Sequence, residues 1–373
     1  MSRRLKVLHV HSGNLFGGIE SILVTLARCQ ETEIEHTFAL CFEGRIANEL
    51  RDTNANVLLT APARLSRPWS VHQARALLRE ELTKSHFDVA ICHSSWSRAI
   101  FGPVLISARQ PFVIWQHSAG DRQHWLDRWS RRIPTQLTVC NSHYTAKQEA
   151  RREPAVGTAV VYPPVPPPTA SSRLASTREN VREELGAPTN TTVILQVGRI
   201  EPGKGHLIHL EAAATLLDQP DWIIVQVGAA QRPEEQTYQL ELERSTHDLG
   251  LDGRVRFVGE RTDMDRIYAA ADIYCQPSTL PESFGITFVE ALYAGLPVVT
   301  TEIGAAPEIV KKECGVLVPR ENAAAVAAAL RLLLSDKEVR VRLGRNGPAR
   351  AAALCDPAST VARLHGILSE IVG

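Results

Sequence analysis

Two cations and two carboxylates in the second half of this 373-residue sequence have the spacing to handle an anionic, hydroxyl-rich ligand. The cations are Arg199 and Lys204, in Gly198-Arg199-Ile200-Glu201-Pro202-Gly203-Lys204-Gly205. An apolar run precedes this string and a helical pattern follows it, so it reads as a strand-to-helix loop. Glycines in such a loop let backbone N–H groups approach a phosphate, and a helix N-terminus favours negative charge. Two cations suit a diphosphate. The string is one residue short of a P-loop, because Gly205 stands where Ser or Thr would bind Mg²⁺. On the loop alone, a P-loop-like nucleoside triphosphatase and a plain βα turn with solvated charges both stay open.

The carboxylates are Glu282 and Glu290, in Pro281-Glu282-Ser283-Phe284-Gly285-Ile286-Thr287-Phe288-Val289-Glu290-Ala291-Leu292. Eight residues are a little over two helical turns, which puts both on nearly one face. Glu282 is expected in the turn before the helix, with the backbone N–H groups of 283–285 capping it and sugar hydroxyls donating to it. Glu290 sits in an otherwise apolar stretch and could chelate a ribose diol. A carboxylate in such surroundings needs a partner.

Weaker signals lie elsewhere. Gly17-Gly18 sits between an apolar run and a helical one, and again offers bare N–H groups at a helix start. His117 follows a strand end, where functional residues concentrate. Asp263-Met264-Asp265 could hold a divalent cation, but Asp263 is better read as the cap of the helix carrying Ile267 and Tyr268, so no metal site is expected. Five of six tryptophans (Trp69, Trp96, Trp115, Trp125, Trp129) lie in the first half; Trp115 reads as core, while Trp96 and Trp125 lie near strand-end loops. Trp125, Trp129 and Ile133 have helical spacing beside Arg128, Arg131 and Arg132. That is either a helix packed on its own domain, the favoured reading, or an interfacial helix beside anionic lipid.

Short apolar runs alternate with helical stretches throughout. Runs at 5–10, 36–42, 88–92, 112–115 and 137–140 read as strands, as do 193–197, 222–227, 255–258, 273–275 and 298–300. Helical spacing falls at 19–29, 69–83, 96–107, 322–335, 337–353 and 357–371. Continuous apolar strands between helices imply parallel sheets covered on both faces. The proline-dense string 162–168 reads as a semi-rigid linker. The expected fold is therefore α/β, two Rossmann-like doubly wound domains facing across a cleft, 1–163 and 164–355, with a C-terminal helix at 356–373 that could pack back on the first.

Composition narrows the class. The chain is 44% hydrophobic and 22% charged, as in a globular protein. Its 41 basic and 41 acidic residues cancel, which argues against a general nucleic-acid binder. The balance conceals a split: residues 1–161 hold 20 basic and 14 acidic residues, and the remainder 21 and 27. No apolar run approaches the length of a membrane span or a signal peptide. The seven scattered cysteines form no CxxC pair and read as reduced. A cytoplasmic location is expected, with the inner face of the membrane as its variant.

The string PSTLPESFGITFVEALYAGLPVVTTEIGAAPEIV, with VGRIEPGKG upstream and GGIE near the N-terminus, resembles glycosyltransferase family 4. The resemblance implies the GT-B fold and a retaining, metal-independent transfer from a nucleotide sugar, with no other cofactor. It implies that Gly17 and Gly18 meet the donor diphosphate and that Arg199 and Lys204 neutralise it as it leaves. Glu282 would hold the donor sugar. Ser283, Phe284 and Gly285 would offer backbone N–H groups, and Ile286 and Thr287 would lie against ribose and phosphates. Glu290 would bind the ribose, Arg261 would pack on the base, and His117 would reach the donor sugar. Asn14, Trp96, His117 and Trp125 are the expected acceptor contacts. The expected donor is UDP-glucose, with UDP-GlcNAc, GDP-mannose and ADP-glucose still open. The acceptor would be a saccharide or lipid-linked saccharide, and weak peripheral membrane association is compatible with the basic half. A GT-B-like nucleotide-sugar epimerase and a non-catalytic nucleotide-sugar sensor are the other readings.

Overall fold

The computed structural model describes residues 4–14, 17–29, 33–118, 124–171, 175–188 and 190–373. The chain divides into two compact units: 1–166 together with 355–373, and 167–354.

The first unit runs β1 (Leu5–His11), α1 (Gly18–Arg28), β2 (Ile34–Leu40), α2 (Arg45–Asp52), β3 (Asn56–Leu59), α3 (Pro68–Lys84), β4 (Val89–Cys92), α4 (Ser95–Ser107), β5 (Phe112–Gln116), α5 (Trp125–Ser130), β6 (Thr138–Cys140), α6 (His143–Arg152) and β7 (Thr158–Val160). Its seven strands are all parallel, in the order β3-β2-β1-β4-β5-β6-β7. The second unit runs α7 (Ala175–Glu184), β8 (Thr192–Val197), α8 (His206–Ala214), β9 (Trp222–Val227), α9 (Pro233–Asp248), β10 (Val255–Phe257), α10 (Met264–Ala270), β11 (Ile273–Gln276), α11 (Ile286–Tyr293), β12 (Val298–Thr301), α12 (Ala306–Ile309), β13 (Gly315–Val318), α13 (Ala323–Ser335) and α14 (Lys337–Cys355). Its six strands are parallel too, ordered β10-β9-β8-β11-β12-β13. The last helix, α15 (Pro357–Val372), belongs to the first unit and packs on α1.

In both sheets the strand order reverses beside the first strand, between β1 and β4 and between β8 and β11. Loops at the carboxyl ends of strands flanking such a reversal diverge to opposite faces and leave a crevice that binds ligands. The central strands are almost wholly buried: Val89–Cys92 and Trp222–Val227 have no half-exposed residue. Continuous apolar sequence marks them for that reason. Three strands lack such a run, β3, β7 and β13, each three or four residues at or near a sheet edge. The string at 162–168 is not wholly a linker. Pro163, Pro164 and Val165 are buried, and the Val165 N–H donates to the Cys355 carbonyl at 2.9 Å. Among the described residues no helix is long and apolar enough to cross a membrane, and all seven cysteines are free.

Six enclosed imidazoles share one electrostatic consequence. Burial holds His9 and His93 well below the ordinary histidine value, His36 near about 4 and His117 near about 3. In the second unit it holds His206 near about 4 and His209 near about 3. Each binds fewer protons folded than unfolded, so its contribution to stability is whole above about pH 6.5 and declines as pH falls toward the folded value. Each such group removes about 1.4 kcal/mol per pH unit within that window. Denaturant midpoints should therefore drop steeply between pH 7.5 and pH 5; equal midpoints would show that these imidazoles are solvated.

Candidate functional site

The second unit brings one predicted cation, Lys204, onto one predicted carboxylate, Glu282, while Arg199 and Glu290 take other partners. After β8 the chain makes a short 3₁₀ turn, Pro202–Lys204, and enters α8 through Gly205 at φ +73°. A Cβ at 205 would stand 1.8 Å from the Pro277 carbonyl oxygen, so only glycine lets this loop lie against the turn after β11. The Thr279 N–H donates to the Gly203 carbonyl at 3.0 Å, and Gln196 Nε2 donates to the Lys204 carbonyl at 3.0 Å. His209, on the first turn of α8, bonds Gln196 Oε1 through Nδ1 at 2.7 Å and so orients that amide.

Seated this way, Lys204 Nζ reaches Glu282 Oε1 at 2.6 Å. The same oxygen accepts from Gln276 Nε2 at 2.9 Å and Ser278 Oγ at 3.3 Å. Three side chains thus donate to the Glu282 carboxylate. The carboxylate points back toward the β8 loop because the Ala305 N–H takes the Glu282 carbonyl at 2.9 Å and fixes the turn. Gln276 is itself held by the Tyr274 hydroxyl, which donates to its Oε1 at 2.9 Å. Neither Gln276 nor Ser278 was singled out in the sequence. Their signal was present: Gln276-Pro277-Ser278 ends an apolar strand in two polar side chains just before the glutamate.

Arg199 makes two carboxylate contacts. One terminal nitrogen pairs closely with Glu201, and Nε lies 3.3 Å from Glu235 Oε1. The other terminal nitrogen makes no contact among the described residues. Glu290 lies on α11, as its spacing predicted, and accepts from the Tyr268 hydroxyl at 2.8 Å. Burial pushes the Glu290 carboxyl above the ordinary carboxylate range, and the Tyr268 bond works against that. Phe284 is buried, Gly285 caps α11 at φ +105°, and Ile286 and Thr287 open it. Ser283 precedes them in the same turn.

Arg261 is already engaged. Its guanidinium bonds both oxygens of Asp263 at 2.8 Å and Glu184 at 3.0 Å. Asp263 occupies the N-cap position of α10, but its side chain makes no cap bond. Its partners are Arg261 and Arg266, which corrects the capping expectation. Asp265 accepts from the Thr169 N–H at 2.9 Å. Among the described residues no cluster of three or more His, Cys, Asp or Glu side chains could hold a metal ion.

In the first unit, Gly17 is the extended N-cap of α1, and Gly18 begins that helix. A methyl on Gly17 would meet only Glu20 Oε2, at 3.6 Å, among the described residues. The local fold does not require glycine there. His117 lies past the end of β5, with Nε2 bonded to His93 at 3.0 Å and the Asn141 amide donating to its carbonyl. The stretch after it, 119–123, falls outside the described residues. Asn14 and Trp96 line one pocket of about 560 Å³ with Ser12, Phe42, Glu43 and Arg64. Trp125 does not join them. It lines a separate groove of about 620 Å³ with Trp129, Arg75, Arg128, Arg132 and His72. Arg128 and Arg132 have no side-chain partner there among the described residues. The expected stripe of Trp125, Trp129 and Ile133 is not one helix: α5 ends at Ser130, and Ile133 is 7% exposed, packed in the core against Gly102. Trp115 is core, as expected.

Comparison with known proteins matches each unit separately. The family profile Glycosyltransferase Family 4 covers residues 16–168, and Glycosyl transferases group 1 covers 177–350. The D-inositol 3-phosphate glycosyltransferase of Corynebacterium glutamicum (strain R) is 34% identical over 202 residues, 52% of this chain and 47% of that one. The lipopolysaccharide core biosynthesis mannosyltransferase LpsB of Rhizobium meliloti (strain 1021) is 31% identical over 179 residues, 47% of this chain and 50% of its own. The chain thus spans about half the length of the curated relatives it matches. Anabaena HepE, solved in complex with UDP-glucose, shares the fold, with a TM-score of 0.86 at 24% identity over 98% of this chain and 100% of its own. Two parallel α/β units of the GT-B type, each matched by its own half of one family's pattern, make this chain a member of glycosyltransferase family 4, the group 1 glycosyl transferases.

Proposed function

We propose that this chain transfers a hexose from a nucleotide-diphosphate sugar, UDP-glucose first among the candidates, to a saccharide or lipid-linked saccharide acceptor with retention of anomeric configuration. The observation that carries this reading is the Lys204–Glu282 pair. The two charges pair at 2.6 Å. A diphosphate arriving at the β8 loop draws Lys204 Nζ and the unengaged arm of Arg199 toward its oxygens. Glu282 is then released to accept a sugar hydroxyl, with Gln276 and Ser278 still donating to its other lone pairs. The ion pair stores the two halves of the site in one place until a ligand carrying both an anion and hydroxyls separates them.

The leaving diphosphate gains charge as the glycosidic bond breaks, and fixed cations and N–H dipoles stabilise charge that develops. Lys204, Arg199 and the N-termini of α1 and α11, reached through Gly17, Gly18 and residues 283–287, are the groups in that role. Glu290, steadied by Tyr268, takes the ribose hydroxyls. Arg261, fixed in its plane by Asp263, keeps its faces for the base. The attacking hydroxyl gives its proton to the departing phosphate, and the chemistry assigns no metal. His117 bonds a hydroxyl of the bound sugar. Asn14, Trp96 and Trp125 serve the acceptor, and Arg128 and Arg132, without an ion pair among the described residues, favour an anionic one, including a lipid-linked saccharide at the cytoplasmic face of a membrane. The P-loop reading loses support from the site itself: Ser or Thr at 205 would collide with Pro277.

Lys204→Ala and Glu282→Ala should each lower kcat by about 10²–10³ while the far-ultraviolet circular dichroism is unchanged. Near-normal turnover in either would remove its role. Activity should persist in EDTA; complete loss, restored by Mn²⁺, would assign a metal to the reaction. In a thermal-shift screen, UDP or UDP-glucose at about 100 times Kd should add roughly 2.7 kcal/mol, and Glu290→Ala should abolish most of it. A shift given by another nucleotide alone would replace the donor. Gly205→Ala should destabilise the second unit by at least about 2 kcal/mol through a left-handed φ and a backbone collision. A denaturant midpoint equal to that of the unsubstituted chain would show that the loop seats differently.

A further inference from the structure

Four histidines, on β2 and β1 and just past the ends of β4 and β5, form a continuous hydrogen-bonded chain across neighbouring strands of the first sheet. His36 Nδ1 meets His9 Nε2 at 2.8 Å, His9 Nδ1 meets His93 Nε2 at 2.8 Å, and His93 Nδ1 meets His117 Nε2 at 3.0 Å. Register explains the contacts. His36 pairs with Val7, two residues before His9; His9 pairs with Ile91, two before His93. Cys92 pairs with Ile114, so His93 stands beside Trp115, two before His117. Each step moves one strand over and two residues along, which keeps every ring on one face of the sheet. Adjacent rings lie 16–37° from parallel, walled by Phe38 against His9 and Trp115 against His117.

The chain's two free ends are its only unpartnered ring nitrogens: His36 Nε2 and His117 Nδ1 are both buried without a hydrogen bond among the described residues. We propose that His36, His9 and His93 are positioning residues in an imidazole relay that sets whether His117 Nδ1 donates to, or accepts from, a hydroxyl of the bound ligand. This rests on the reading of His117 as a ligand contact.

A neutral imidazole carries one N–H and one bare nitrogen. Burial holds all four rings neutral near pH 7. Three shared N···N contacts then permit two states. Either all four rings carry hydrogen on Nδ1, and His117 offers a donor, or all four carry it on Nε2, and His117 offers an acceptor. Passing from the second state to the first takes up one proton at His117 Nδ1. One proton then crosses each of the three bonds, and one leaves His36 Nε2, so the chain's proton count and charge are unchanged. The far end borders a polar pocket of about 270 Å³ lined by His36, Glu35, Arg4, Asn54 and Asn56, which gives the released proton an exit. A single histidine could change its offered group only by turning its ring or becoming charged; coupled rings do it by proton shifts alone.

The test is ¹⁵N NMR of the full chain labelled at histidine. Long-range ¹H–¹⁵N correlations report each ring's tautomer, and couplings across N–H···N bonds report the links. The expected result is one tautomer shared by His36, His9, His93 and His117, with coupling at each junction. His36→Phe, confirmed folded by its backbone amide spectrum, should change the tautomer populations of His117 three strands away, and His36→Asn, whose amide both donates and accepts, should restore them. Mixed tautomers in the unsubstituted protein, or His117 resonances unmoved in folded His36→Phe, would overturn the relay. If His36→Phe does not fold, the unsubstituted spectrum alone decides. A coherent spectrum together with nucleotide-sugar affinity unchanged in His117→Ala would overturn the ligand contact and not the relay.

Discussion

The β8 loop can close on the turn after β11 only because residue 205 has no Cβ, and the rest of the donor site follows from that contact. Backbone against backbone at this distance leaves no slack. It aims Lys204 at Glu282 and allows the Gly203 carbonyl to take the Thr279 and Leu280 N–H groups. The far side of the same turn is held likewise: a Cβ on Gly304, at φ +65°, would stand 2.4 Å from the Glu282 carbonyl oxygen. Glu282 is thus clamped between two loops that each approach as closely as a peptide chain allows. Rigid backbone on both sides is what lets a partly exposed lysine and glutamate hold one geometry, since flexible ion pairs at a surface are worth little.

Much of this was legible in the sequence because the central strands and the charged residues announce themselves in different ways. Apolar runs marked ten strands to within about two residues at each end, and the eight-residue spacing of Glu282 and Glu290 placed one before the helix and one on it. The misses have physical causes. β3, β7 and β13 are too short and too near an edge to need continuous apolar sequence. Gln276 and Ser278 lie only six and four residues before Glu282, but the fold of the turn between them decides that they meet its carboxylate, so the polar pair at the strand end did not reveal its partner. Ile133 kept helical spacing with Trp125 and Trp129, but the helix stops after six residues and the isoleucine turns inward to fill the space beside Gly102. The histidine chain was invisible for a deeper reason. Its neighbouring rings are 27, 84 and 24 residues apart in sequence, and only strand register brings them together.

Charge is distributed with the same division of labour. In the second unit most arginines near the site are already spoken for: Arg178 and Arg182 by Asp272, Arg261 and Arg266 by Asp263 and Glu184. Lys204 pairs with the site's own Glu282, and one arm of Arg199 makes no ion pair among the described residues. In the first unit the excess is basic, and Arg128 and Arg132 line an aromatic groove without an ion pair among the described residues.

The return of α15 to the first unit bears on how the molecule is made. Arg363 bonds the Val160 carbonyl, Thr360 the Tyr162 carbonyl, and His365 pairs with Glu33 at 3.0 Å. These anchors reach strands and loops that leave the ribosome 198, 203 and 332 residues earlier. Domains usually fold in order of emergence. Here the sheet synthesised first must wait, its α1 flank uncovered, until the second unit has been threaded out behind it. The half of the protein that is begun first is the half that is finished last.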